Sequence, residues 1–212
     1  MWGNDLPVPP SIEDIRKKSK ILVIDDHDFP YEPIFKKNGY HIERWATIDN
    51  LSHITDGHFD LILLDIQGVG IEISPELEGL GILRHIKESN PAQMVILYSA
   101  QPQRITHLGI MVLADAVVDK ALPYVDFASK VDSLLKLRSS PAYFIAAMNK
   151  ALGENAVLAP KAVGKAMKAL QKRNVSGFAR YMDRTPLEPS QVNTVVGILQ
   201  LGVAVASMVI TA

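Results

Sequence analysis

Four short apolar runs, each leading into a chemically capable residue, constrain this chain more than any other feature. Ile21-Leu22-Val23-Ile24 leads into Asp25-Asp26, and Leu61-Ile62-Leu63-Leu64 leads into Asp65. Met94-Val95-Ile96-Leu97-Tyr98 leads into Ser99, and Ala116-Val117-Val118 is followed one residue later by Lys120. Runs of this length without alternation suit strands buried on both faces, as in parallel sheets. Ligands in open α/β sheets bind beyond the carboxyl ends of the strands. Three carboxylates, a hydroxyl and an amine are therefore expected in one crevice. Carboxylates crowded at one rim repel each other unless a hard cation joins them, and Mg²⁺ binds through few carboxylates while keeping several waters. Lys120 adds positive charge to the same rim. Such a set can bind a divalent cation and hold a phosphoryl group.

The pattern between these runs is strand, turn, helix, repeated. Strands are expected near 20–25, 40–45, 60–65, 93–98 and 115–119, with helices near 30–38, 48–56, 80–89, 102–110 and 123–137. Alternation of this kind predicts an α/β fold, a parallel sheet covered by helices on both faces. Ahead of it lie a Pro-rich arm over 1–10 and a short helix over 11–18, with Ser11 as its cap and Asp14 three residues on. Ser139-Ser140-Pro141 marks a boundary, because Ser140 suits a cap and Pro141 the first helical turn. Phe144, Ile145, Met148 and Leu152 then recur at helical spacing, and Gly153 suits the end. A further helix is expected over 160–173, with Lys161, Lys165, Lys168 and Lys172 on one face and Val163, Met167 and Leu170 on another. The chain thus divides into an arm and short helix (1–19), an α/β domain (20–138), a basic helical linker region (139–188) and an apolar helix (189–212).

The 212 residues carry a formal net charge of −1, which argues against a general nucleic-acid binder. There are no cysteines, which excludes a disulfide framework, a thiol nucleophile and Cys-ligated zinc. Met1 to Pro10 lacks the basic and apolar regions of a signal peptide, so a cytoplasmic location is expected. None of the six histidines shows a metal-binding spacing; His27 stands nearest the expected crevice. No charged residue occurs from Pro189 to Ala212, and Val195 onward is apolar enough for a membrane span. Upstream, residues 161–184 hold seven Lys and Arg against the single acid Asp183. Basic residues beside an apolar span favour the inner face of the membrane and can lie along anionic headgroups. Tethering there is the expectation, with Gly202-x-x-x-Ala206 as a small-residue pattern that suits close packing of two spans. The competing readings are a buried helix of a small soluble domain or of a dimer.

Taken together, Asp25, Asp26, Asp65, Ser99 and Lys120 resemble the receiver domain of bacterial response regulators over roughly residues 20–138. That resemblance implies a flavodoxin-like, doubly wound five-stranded parallel sheet with strand order 2-1-3-4-5, followed here by a helical extension. It implies that Asp65 accepts a phosphoryl group from a histidine kinase, a phosphotransfer protein or a small donor. By the same resemblance Asp26 binds Mg²⁺ directly, Asp25 largely through water, and the backbone carbonyl of Gln67 joins them. Ser99 and Lys120 would each bond a phosphoryl oxygen, and a homodimer is a further expectation. No turnover beyond the domain's own phosphorylation and dephosphorylation is implied.

Departures from the family pattern bear on output. The loop from Gln67 to Gly79 is long and carries Glu72, Glu76 and Glu78, which would repel an anionic donor. Ala121 stands where proline follows the lysine, and Val117 stands at the aromatic switch position. By strand alternation Tyr98 is expected to point away from Ser99. These changes motivate an alternative, a receiver-like scaffold that works without phosphate. Asp26-His27-Asp28 also resembles the first motif of haloacid-dehalogenase-type phosphatases, but that reading leaves Asp65 unused and lacks the later paired acids. No helix-turn-helix pattern follows residue 138, which argues against sequence-specific DNA binding.

Overall fold

A computed structural model describes residues 10–48, 51–100 and 107–208. Five strands, β1 (Lys20–Ile24), β2 (His41–Trp45), β3 (Leu61–Asp65), β4 (Met94–Ser99) and β5 (Ala116–Asp119), form one sheet in the order β2-β1-β3-β4-β5. All neighbouring pairs run parallel. This is the flavodoxin-like arrangement expected from the sequence, and it explains the unbroken apolar runs. Leu22, Ile24, Ile62, Leu64, Val95 and Leu97 join one core. Their alternating neighbours Ile21, Val23, Leu61, Leu63, Ile96 and Tyr98 join the core on the other face. A side chain fully buried in this way contributes about 1.5–3 kcal/mol.

Helices α1 (Ile12–Lys18), α2 (Glu32–Lys37), α3 (Gly79–Ser89), α4 (Leu108–Met111) and α5 (Tyr124–Arg138) cover the sheet. Ser11 caps α1 by accepting the Asp14 N–H at 3.1 Å. Arg16 ties α1 to α5 through a forked contact with Asp132, which also accepts the Tyr40 hydroxyl at 2.6 Å. The helix expected over 48–56 appears as a single 3-10 turn, Leu51–Ile54. Most of the one expected over 102–110, with its Pro102 start, lies outside the described residues.

Beyond Ser139 come α6 (Pro141–Leu152), α7 (Ala162–Lys172), α8 (Ser176–Met182) and α9 (Pro189–Met208). Ser140 caps α6 as expected, accepting the Ala142 N–H at 3.2 Å. The four helices share one hydrophobic core, so residues 139–188 and α9 pack as a unit. Two details differ from the sequence expectation. Alanines 162, 166 and 169 with Leu170 face inward on α7, while Val163 and Met167 are 41% and 47% exposed. Small side chains let the helix approach α6 and α9 closely, and that outweighs burial of two larger residues. The second difference is α8, which packs Phe178 and Met182 inward. From α9, one face made of Val192, Val195, Ile198 and Leu199 enters the same core. By length and composition α9 is also the one helix among the described residues that could cross a membrane.

Arg138 fixes this helical unit to the α/β domain. Its side chain is buried, with Nε 3.1 Å from Asp60 and an N–H donated to the Ala92 carbonyl at 3.2 Å. The Tyr143 hydroxyl donates to the same carbonyl at 3.0 Å. Asp60 precedes β3 and Ala92 precedes β4, so the helices dock at the amino ends of the strands. The candidate site lies at the opposite ends.

Candidate functional site

Register sets the site. Pairing of Ile24 with Leu64 and of Asp65 with Tyr98 brings the ends of β1, β3 and β4 level. β5 pairs Asp119 with Ser99, and the Lys120 N–H donates to the Ser99 carbonyl at 2.9 Å. Asp25, Asp65 and Ser99 are buried at this rim, while Asp26 and Gln67 are exposed on it.

Lys120 joins the two buried acids, with Nζ 2.6 Å from Asp65 Oδ2 and 3.0 Å from Asp25 Oδ2. Asp65 Oδ1 accepts the Ile66 N–H at 2.7 Å. Asp25 Oδ1 accepts the His27 N–H at 2.9 Å, and its Oδ2 also accepts the Tyr98 hydroxyl. Burial pushes the Asp25 carboxyl up, but bonds from Tyr98, the His27 amide and Lys120 outweigh it, and the net direction is down. For Asp65 burial dominates and the carboxyl is raised, with Lys120 opposing and the Asp25 charge adding to the rise. Burial lowers the Lys120 amine, yet its bonds to Asp65 and Asp25 raise it overall. The trio is thus a buried carboxylate pair bridged by an ammonium, and its one excess negative charge attracts a further cation.

The loop after β3 shapes the exposed side. Gly68 has φ +79°, and a Cβ there would sit 2.5 Å from Asp26 Oδ2. A Cβ on Gly79 would lie 2.0 Å from the Asp65 carbonyl oxygen. Only glycine lets the loop leave and return this close to the acids. Glu78 holds the loop shut by accepting the Gly68 N–H at 2.7 Å, from a left-handed backbone at φ 48°. Its charge therefore has a structural partner, while Glu72 and Glu76 remain exposed.

Oxygen donors suit a hard divalent cation, and the space against Asp26 is kept by Gly68 rather than filled by a side chain. Asp25, Asp26 and His27 offer donor atoms within 4.8 Å of one another. His27 Nδ1 is 2.8 Å from Asp26 Oδ1. Asp28 is exposed and paired with Arg44 at 3.3 Å, so the Asp-x-Asp motif does not gather around one centre as Asp25 and Asp65 do.

Tyr98 is the residue that sequence reasoning underrated. It does lie on the face opposite Ser99, as alternation requires, but its phenol is long enough to reach the rim. The hydroxyl meets Asp25, and Lys120 Nζ sits 4.8 Å from the ring centroid. A tyrosine one residue before the strand end was the available signal. Arg44 was also missed; it donates to the carbonyls of Asp25 and His27 at 3.1 Å each, bracing the turn after β1.

No family model matches the sequence, and no curated protein matches it at a significant level. Among solved structures, a CheY-like response regulator receiver domain protein from Methanospirillum hungatei is similar, at 25% identity over 57% of this chain and 95% of that one, with a TM-score of 0.45. The response regulator TrrA of Thermotoga maritima, in complex with Mg²⁺-BeF, is 25% identical over 55% of this chain and 98% of its own, with a TM-score of 0.44. TrrA in complex with the histidine kinase ThkA gives the same identity and coverage and a TM-score of 0.43. The similarity is to receiver domains and covers little more than half of the chain, which continues into a helical C-terminal extension.

Proposed function

We propose that this protein is the phosphoacceptor receiver of a two-component phosphorelay. The observation that carries the proposal is the buried Asp65 carboxylate, bridged to Asp25 by Lys120 at the carboxyl ends of the central strands. A bond forms between an Asp65 oxygen and phosphorus as the donor's P–N bond breaks, and the bonding pair leaves with the imidazole of a phosphohistidine. Positioning and charge neutralisation do most of the work in such transfers. Lys120 stands beside the acceptor to neutralise the incoming oxygens, and the buried Ser99 at the end of β4 supplies a hydroxyl for another. Asp25, Asp26, Asp65 and the Gln67 carbonyl would hold Mg²⁺, which when bound offsets negative charge on the phosphoryl group. Partners of this chemistry are a histidine kinase or phosphotransfer protein, with a second copy of the chain as a further contact. Phosphorylation would shift a conformational equilibrium and so alter protein contacts.

The test is incubation of the full chain with Mg²⁺ and a small phosphodonor, read by mass. A gain of one phosphate that disappears in Asp65→Asn is expected. No gain from either the small donor or a cognate kinase sinks the proposal and leaves a phosphate-independent interaction module.

Tethering to the inner face of a membrane is a second reading, supported by the length and composition of α9. It requires α9 to leave the core it shares with α6, α7 and α8. Recovery of the full chain in the soluble fraction would end it.

A further inference from the structure

We infer that Tyr98 is a positioning residue for phosphoryl acceptance, and that it acts by freeing Lys120 from Asp25. The inference rests on the reading above and goes beyond it, because Tyr98 need touch neither the phosphoryl group nor Mg²⁺.

Lys120 stands between two carboxylates, 3.0 Å from Asp25 Oδ2 and 2.6 Å from Asp65 Oδ2. Lys120 has a third N–H for a group arriving on Asp65, and it reaches furthest toward that group when its longer bond, to Asp25, loosens. Asp25 is 1% exposed, so little water reaches Oδ2 to replace that bond. Oδ1 already accepts the His27 N–H at 2.9 Å. On Oδ2 the donor beside Lys120 is the Tyr98 hydroxyl. With it, a departing ammonium leaves Asp25 bonded on both oxygens. Without it, Oδ2 would keep Lys120 as its donor and draw it away from Asp65, since an unmet buried acceptor is costly.

Tyr98 is held rigidly enough to do this. Its ring meets Phe29 edge-on with centroids 5.8 Å apart and Phe127 edge-on at 6.3 Å. The same ring lies under the Lys120 ammonium at 4.8 Å, so the side chain both supports the cation and satisfies its competitor. Tyr98→Phe removes the hydroxyl and keeps the ring, the edge contacts and the cation–ring contact, which preserves the fold.

The experiment measures the rate of phosphate incorporation into the full chain from acetyl phosphate with Mg²⁺, over a range of donor concentrations. For Tyr98→Phe the maximal rate is expected to fall about 10- to 100-fold, the usual cost of removing an outer hydrogen-bond partner. The half-saturating donor concentration and the thermal midpoint should stay near wild type. Lys120→Ala labels slowly, and adding Tyr98→Phe to it should cost little more, because the tyrosine acts through the lysine. Wild-type labelling by Tyr98→Phe overturns the inference while leaving the phosphoacceptor reading intact. So does a loss of equal size in the Lys120→Ala background. A wild-type chain that gains no phosphate overturns both.

Discussion

The α/β domain and the helical unit place their polar residues in opposite ways. In the first, charged groups are buried against each other, at the rim as Asp25, Asp65 and Lys120 show and at the opposite strand ends as Asp60 and Arg138 show. In the second, the core is built from alanines, phenylalanines, methionines and aliphatic residues, and the charge lies outside. Residues 139–212 hold eight Lys and Arg against three Asp and Glu, whereas residues 1–138 hold fourteen against twenty. The difference follows from geometry. A parallel strand has one carboxyl end, and in this fold every such end opens on the same crevice. A helix has no equivalent single address, and its inward face is settled only by its neighbours.

Arg138 is where the two units meet, so it offers the hardest test of whether they stand or fall together. It is 2% exposed and its guanidinium is shared by Asp60 and the Ala92 carbonyl. Arg138→Ala leaves Asp60 without its buried cation, and breaking such a pair costs about 3–5 kcal/mol. Denaturant unfolding should show that loss, with separate transitions for the sheet and the helices. A change under about 1 kcal/mol with one shared transition would mean that the joint is carried elsewhere.

The same contrast explains what was legible in the sequence. The sheet could be read because its strands are unbroken apolar runs, and the site because Asp25, Asp26, Asp65, Ser99 and Lys120 close those runs. Tyr98 escaped because alternation gives the direction of a side chain and not its reach. On α7, helical spacing marks Val163, Met167 and Leu170 as the apolar face, whereas the smaller Ala162, Ala166 and Ala169 allow the closer helix contact. α8 has seven residues, too few to display a period. The buried Arg138 lacked any local signal, since its partners Asp60 and Ala92 lie far away in the chain.

Two glycines on α9 sharpen the comparison at the next scale. A Cβ on Gly202 would lie 2.8 Å from Leu170 Cδ2 and 2.8 Å from Phe144 Cγ, whereas one on Gly197 meets nothing within 4 Å. Gly202→Val should destabilise by about 1–3 kcal/mol through overpacking. Gly197→Ala should stabilise by about 0.5–1 kcal/mol through helix propensity alone. Equal responses in a thermal melt would mean that α9 is not packed against α6 and α7.

Buried charge in the α/β domain predicts a pH effect. Burial lowers the Lys87 amine despite the opposing pull of Asp115 at 2.7 Å. Below the lowered folded pKa both states are protonated, and the folded state bears the full cost of the buried charge. As pH rises from there toward the ordinary 10.5, the unfolded chain binds more protons, so stability rises. Lys87→Met should lack that rise. A parallel pH profile for the variant and the wild type would show that Lys87 titrates normally.

Met167 provides the smallest and most discriminating change. Helical spacing put it on the apolar face of α7 with Val163 and Leu170, yet it is 47% exposed while Ala166 beside it is fully buried. If the alanine face is the packed one, Met167→Gln changes stability by no more than about 0.5 kcal/mol, as at other surface positions. Ala166→Leu, by contrast, forces extra methylenes against the neighbouring helices and costs about 1–3 kcal/mol. A rotation of α7 that buried Met167 would reverse the order, with Met167→Gln the more damaging. The two variants therefore read the orientation of one helix directly, by denaturant midpoint, in the unit whose faces the sequence alone did not fix.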